Sequence, residues 1–147
     1  MANLNDERAL IERDIDILYN KIKEAQKEID DINILNATKK GLTQALMELS
    51  EKPDIILVDA LTGIDTLGIP YQSIIKGDAK SISIAASSII AKVTRDRMLD
   101  ELHEKFPMYD FKKNKGYPTK KHLEAIEEFG IIDEHRRSYG PVKNYLE

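Results

Sequence analysis

The chain has 147 residues, 41% apolar and 33% charged, with a net charge of −4 and no cysteine. That length suits one domain with a sizeable core, and the missing cysteines exclude disulfides and thiolate metal sites. The acidic balance excludes binding to nucleic acid through overall positive charge, and no apolar run approaches the roughly 18 residues that a membrane span needs.

Residues 6 to about 30 are expected to form a long amphipathic helix. Ile11, Ile15, Leu18, Ile22, Ala25, Ile29 and Ile32 alternate spacings of four and three, which keeps them on one helical face. Leu10 and Ile17 widen the stripe beyond a two-stranded seam and favour burial against a globular core. Asn5 is placed to cap this helix, with Asp6 and Glu7 in its first turn, where the helix dipole favours acids. A second helix is expected over about 33–50, with Leu35, Leu42, Leu46 and Leu49 apolar and Pro53 and Asp54 marking its end.

Ile55 to Val58 is a short continuous apolar run ending at Asp59, the pattern of a buried parallel strand. Residues 60–70 read as a loop containing Gly63, Gly68 and Pro70, and Ser73 to Ile75 as a second strand. Helix returns over about 83–105 and again over about 119–129, the latter bracketed by Pro118 and Gly130. The tail from Ile131 has mixed character.

Two acids stand where this order of elements places ligands. Asp59 ends the first strand and Asp78 follows the second on a glycine turn, and open α/β sheets gather ligands at the carboxyl ends of their strands. Two carboxylates brought together repel unless a cation lies between them, and hard oxygen donors suit Mg²⁺ or Mn²⁺. The plainer alternative is that Asp59 caps a strand end and Asp78 a helix. Between Phe111 and His122 stand Lys112, Lys113, Lys115, Lys120 and Lys121 with no acid among them, either a phosphate-contacting strip or a solvated lysine loop. Asp96, flanked by Arg95 and Arg97, reads as an ion-pair partner. His103, His122 and His135 lack metal-ligand spacing. His135 with Arg136 and Arg137 could touch phosphates or close the fold.

Several segments together resemble ribonuclease HII. They are residues 32–38 (Ile-Asn-Ile-Leu-Asn-Ala-Thr), Leu57 to Asp59, Gly77 to Ser81 and Ala85 to Asp96, extended by Gly116 to Lys120 and His135 to Ser138. The resemblance covers about residues 30–145 in the family's order. It implies a helix-rich α/β chain with a truncated ribonuclease H-like fold, a short sheet packed with several helices. One domain over residues 1–147 is expected, with residues 1–30 as an atypical N-terminal helix. The implied activity is metal-dependent cleavage of RNA in RNA–DNA hybrids, or beside a single ribonucleotide embedded in DNA.

By the same resemblance, Asp59 and Asp78 are catalytic and metal-holding, with Mg²⁺ or Mn²⁺ as cofactor. Tyr117 is expected to stack on a sugar at the RNA-to-DNA junction, with Gly116, Lys80 and Ser81 as further substrate contacts. Ser81, Ser83, Ser87 and Ser88 could approach the scissile region, or, as small residues, permit close helix packing. The family's opening strand with Gly-x-Asp-Glu, its Gly-Arg-Gly loop and two further strands are not found in this chain, so half of a four-carboxylate set is expected to be absent. A sheet shortened in this way leaves an edge and a face exposed, which makes a homo-oligomer the expectation. Two functions therefore stand side by side: a ribonuclease HII-type nuclease, or a catalytically inactive fragment or engineered piece of that fold that self-associates. A cytoplasmic location, without signal peptide or membrane partner, is expected for either.

Overall fold

The computed structural model describes residues 4–146, with side chains from Asn20 onward. The expectations for Asn5, Asp6, Glu7 and the apolar stripe from Leu10 to Leu18 fall on side chains outside those described. The element order is α1 (Leu4–Met47), β1 (Ile56–Asp59), β2 (Tyr71–Ile74), α2 (Gly77–Lys80), α3 (Ile82–Lys105), a 3₁₀ turn (Pro107–Tyr109), α4 (Phe111–Asn114), α5 (Lys120–Phe129) and α6 (Gly140–Lys143). This is the helix-rich α/β architecture with a short sheet that the resemblance implies. Among the described residues no helix is long and apolar enough to cross a membrane.

The two expected N-terminal helices meet without a loop, at Asn33. Its backbone leaves helical geometry at φ 67 and ψ 162, a region that residues with a Cβ rarely enter. The side chain makes the break useful. Asn33 Oδ1 accepts the Asn36 N–H at 3.1 Å, so the residue caps the second segment of α1. That segment ends at Met47, three residues before the expected 50.

The chain divides into two compact units, one formed by the residues up to Asp31 together with those from Arg95 onward, the other by Ile32–Thr94. The second unit holds the sheet. Strands β1 and β2 run parallel with Ile56 opposite Tyr71 and Asp59 opposite Ile74. The ladder is extended by Ile56 N–H to the Pro70 carbonyl at 2.9 Å and Ala60 N–H to the Ile74 carbonyl at 3.1 Å. Ile64, Ile69 and Ile84 are its buried apolar side chains.

The expected burial of the first strand is only half realised. Ile56 and Val58 are half-buried, while Leu57 on the other face is 36% exposed. Alternate side chains of a strand point to opposite faces, so a two-stranded sheet covered on one side leaves the other open. Ile55, Ile75, Ile82, Ile89 and Ile90 are likewise exposed.

The first unit holds a larger core of Leu102, Tyr109, Phe111, Ala125, Ile126 and Val142, with Leu99, Phe106, Leu123, Ile131, Ile132 and Tyr139 packed against it. Helix α5 has its apolar residues on one face and starts from Thr119, whose hydroxyl accepts the His122 N–H at 3.3 Å. It stops at Gly130, whose φ of 80 suits a residue without a side chain. The mixed tail is tied down by Asp30 of α1, whose carboxylate accepts the Arg137 N–H at 2.9 Å and the Ser138 N–H at 2.8 Å.

Candidate functional site

Strand β1 delivers Asp59 to the turn that follows β2. Lys76 adopts a left-handed conformation at φ 56, which turns the chain back so that the Gly77 N–H donates to Asp59 Oδ1 at 2.8 Å. The chain passes close to its neighbours at the next step. A Cβ on Gly77 would lie 2.7 Å from Ile84 Cδ1 and 3.3 Å from Asp59 Oδ1. Asp78 follows immediately, exposed in the first turn of α2, and its Oδ1 accepts the Ala79 N–H at 2.9 Å.

The two acids thus occupy adjoining positions, Asp59 holding the amide of the residue that precedes Asp78. Their donor set is hard oxygen, which suits a small divalent cation that keeps several waters. Among the described residues no group of three or more histidine, cysteine, aspartate or glutamate side chains is placed to hold a metal ion. Asp59 Oδ1 and Asp78 Oδ1 each already accept a main-chain N–H.

Lys80 is exposed at the end of α2. Ser81 links α2 to α3, with its N–H donating to the Gly77 carbonyl at 2.8 Å and its hydroxyl 3.5 Å from the Ile84 N–H. It therefore stands at the N-cap position of α3. Ser83, Ser87 and Ser88 are exposed along that helix, and the Ser87 hydroxyl donates back to the Ile84 carbonyl at 2.9 Å.

Tyr117 belongs to the first unit and is 65% exposed. Its loop is held by side chains on several sides. Lys115 and Gly116 take positive φ of 50 and 80, reversing the chain after α4. Buried Asn114 bridges this turn, donating from Nδ2 to the Tyr109 carbonyl at 2.6 Å and accepting the Gly116 N–H at 2.9 Å. Arg95 of α3 donates to the Lys115 carbonyl at 2.7 Å, and its guanidinium lies 6.0 Å from the Tyr117 ring centre. The Tyr117 N–H donates to the Asn114 carbonyl at 2.9 Å. Its own carbonyl accepts the Thr119 N–H at 2.9 Å and faces His122 Nδ1 at 3.0 Å.

The lysine strip is less free than its sequence suggests, because acids arrive from outside it. Lys115 turns inward to the Asp100 carboxylate and to the Asp96 carbonyl, the latter at 3.2 Å. Lys121 pairs with Asp110 at 2.9 Å and Lys120 with Glu124 at 3.6 Å. The Lys121 hydrogen bond also holds the Asp110 carboxyl below its usual range. Lys112 and Lys113 remain exposed on α4. Asp96 lies 3.7 Å from Arg95, the ion-pair arrangement expected for it.

Of the two alternatives for the segment from His135, closing the fold is the one that this residue takes. His135 is buried, and burial together with neighbouring His122 pushes its pKa down to about 4. Arg136 stacks over the Tyr139 ring at 4.5 Å, and Arg137 lies 3.8 Å from Asp133. The supporting roles of Arg95, Asn114 and His122 were not read from the sequence. An Asn-Lys-Gly run after a short apolar segment is a turn signal that points to Asn114, whereas the tertiary contacts of Arg95 and His122 have no local sign.

A family model described as Ribonuclease HII matches residues 5–140. A curated protein named ribonuclease HII from Geobacillus sp. is 48% identical over 157 aligned positions, covering 100% of this chain and 56% of the relative. Ribonuclease HII from Bacillus cereus is 49% identical over 157 positions, with 100% of this chain and 60% of the relative covered. The protein of the same name from Bacillus thuringiensis (strain Al Hakam) is 48% identical with the same coverage. The chain spans a little over half the length of these relatives, yet the match runs through the carboxylate turn and the tyrosine loop alike, and on that evidence the chain belongs to the ribonuclease HII family.

Proposed function

We propose that this chain carries part of the machinery of a divalent-metal-dependent endonuclease that cuts RNA within RNA–DNA hybrids or at a ribonucleotide embedded in DNA. The observation that carries the reading is the seating of Asp59 against the Gly77 amide at 2.8 Å, one residue before Asp78, at the carboxyl end of a parallel strand pair. Asp59 and Asp78 would hold Mg²⁺ or Mn²⁺. A cation there supplies an activated water and neutralises charge on the phosphate.

The remaining roles belong to the chain itself. Tyr117 offers an exposed aromatic face for stacking on a sugar or base, and Gly116 allows close approach beside it. Lys80 and Ser81 lie just beyond the carboxylate turn, where a cation and a hydroxyl suit phosphate oxygens. A site resting on these two carboxylates would bind metal weakly and support only slow cleavage. A cytoplasmic setting is part of the same proposal.

The test is cleavage of a duplex containing a single ribonucleotide, with Mn²⁺ present. Slow cutting that disappears in Asp59→Asn and in Asp78→Asn is the expected result. Cutting that survives both substitutions would remove these residues from the reaction.

A second reading is favoured by the exposed apolar side chains of Ile55, Leu57, Ile75, Ile82, Ile89 and Ile90. In it the chain self-associates through this surface and has no activity of its own. Sedimentation velocity separates the two readings: a monomer at all concentrations rejects self-association, and a dimer without cleavage supports it.

A further inference from the structure

His122 and His135 are only 4% and 5% exposed, and their Nε2 atoms face each other at 3.1 Å. The outer nitrogens settle which ring donates. The Ile132 N–H points at His135 Nδ1 at 3.1 Å, so that nitrogen presents a lone pair. His122 Nδ1 faces the Tyr117 carbonyl at 3.0 Å, and a carbonyl only accepts, so that nitrogen carries a proton. A neutral His135 then holds its proton on Nε2, and a neutral His122 has a lone pair on Nε2. The 3.1 Å contact becomes an N–H···N bond, and all four ring nitrogens are satisfied in one direction.

We propose that His122 and His135 form a one-way hydrogen-bond relay in which His122, as a positioning residue, fixes the main chain of Tyr117 for its contact with nucleic acid. The inference rests on the reading of Tyr117 as a substrate contact. Through this relay the Tyr117 peptide groups are held on both sides, the N–H by the Asn114 carbonyl and the C=O by His122. A ring displayed from a fixed backbone loses little freedom on binding.

Other occupancies of the pair meet a conflict. A cation between the two Nε2 atoms needs a proton on His135 Nδ1, opposite the Ile132 N–H. A second proton on either ring likewise sets one donor against another. The remaining polar neighbours are already directed elsewhere. Tyr109 packs its ring on both imidazoles, but its hydroxyl donates to the Gly130 carbonyl at 2.9 Å. The buried Glu134 Oε1 has no hydrogen-bond partner among the described residues and lies 3.9 Å from the cationic Lys23 Nζ. Phe111 covers the rings with an uncharged face.

Long-range ¹H–¹⁵N correlation spectra of the whole chain at neutral pH read the two tautomers directly. The expected result is a proton on Nε2 alone in His135 and on Nδ1 alone in His122. The reverse tautomer in either ring, or a cationic ring, overturns the relay. Two substitutions then probe the positioning role. His122→Asn can still donate near the Nδ1 position, whereas His122→Gln extends its amide toward His135 and releases Tyr117.

With both variants shown to unfold cooperatively, His122→Gln should speed exchange of the Tyr117 amide and weaken binding to a ribonucleotide-containing duplex. The expected loss is roughly three- to tenfold, the range one hydrogen bond supplies, and His122→Asn should restore most of it. Wild-type exchange in His122→Gln overturns the proposal. If Tyr117→Ala weakens duplex binding and His122→Gln does not, the positioning role alone fails. If neither substitution changes binding while the tautomers and exchange follow the relay, the reading of Tyr117 as a substrate contact is what fails.

Discussion

The loop around Tyr117 and the turn around Asp78 are both exposed, yet they are supported differently. Arg95, Asn114 and His122 each hold a main-chain group near Tyr117, and a core including Tyr109, Phe111 and Ile126 lies in the same unit. The carboxylate turn rests on a two-stranded sheet, held by the Asp59 bond to Gly77 and by the fit of Gly77 against Ile84. Its unit buries little apolar surface and exposes isoleucines beside the strands and on α3. More side chains therefore brace the tyrosine loop than the carboxylate turn.

The comparison makes its largest prediction about stability. Ile126 is 1% exposed while Ile89 is 64% exposed. Ile126→Ala should cost about 2–5 kcal/mol, as deletions in packed cores do. Ile89→Ser should change stability by no more than about 0.5 kcal/mol, and it should reduce any association through that face. Denaturant unfolding of both variants, with sedimentation of the second, checks the pair. Equal costs at the two positions would break the contrast.

Acid should attack the first unit next. His135 binds its proton with a pKa of about 4 when folded, against 6.5 as a free side chain. Between these values the unfolded state binds more protons, so stability is fully present above pH 6.5 and falls as pH drops toward 4. The loss at the lower end is on the order of 3 kcal/mol. Asp30 adds to it at lower pH. Burial raises its pKa, but the hydrogen bonds from Ser138 and Arg137 outweigh that and leave it below 3.8. Its contribution is therefore present above 3.8 and is lost as pH falls through the folded value. Unfolding curves across this range should lose their His135 component in His135→Phe.

A smaller effect is expected at the turn. In Gly77→Ala the new Cβ would meet Ile84 Cδ1 at 2.7 Å. The side chain can give way, so the cost should be about 1–3 kcal/mol, and the Asp59 bond to the turn should lengthen. Thermal unfolding gives the cost. Exchange of the amide at position 77 reports on the bond.

Much of this was legible in the sequence. The division of the N-terminal helix after about residue 30, the stop at Gly130, the strand ending in Asp59 and the glycine turn before Asp78 follow from local rules of capping and periodicity. The parallel orientation was readable from the continuous apolar run of the first strand. Burial of the first strand was not, because it depends on what lies over each face. The lysine strip shows the same limit. Within Phe111 to His122 there is no acid, but folding brings in Asp100, and Asp110 and Glu124 flank the strip closely enough to pair. Histidine spacing along the sequence carries no information about a relay. Its direction is set by the Ile132 amide and the Tyr117 carbonyl, which only the folded chain brings to the two rings.

The central claim is that Asp59 and Asp78 together form part of a cation site on an incompletely supported turn. Titration of the whole chain with Mn²⁺, followed by the loss of the free-ion electron paramagnetic resonance signal, tests it most directly. The account predicts one weak site in the unsubstituted chain and no comparable binding in either Asp59→Asn or Asp78→Asn. Unchanged Mn²⁺ binding in both variants would contradict it.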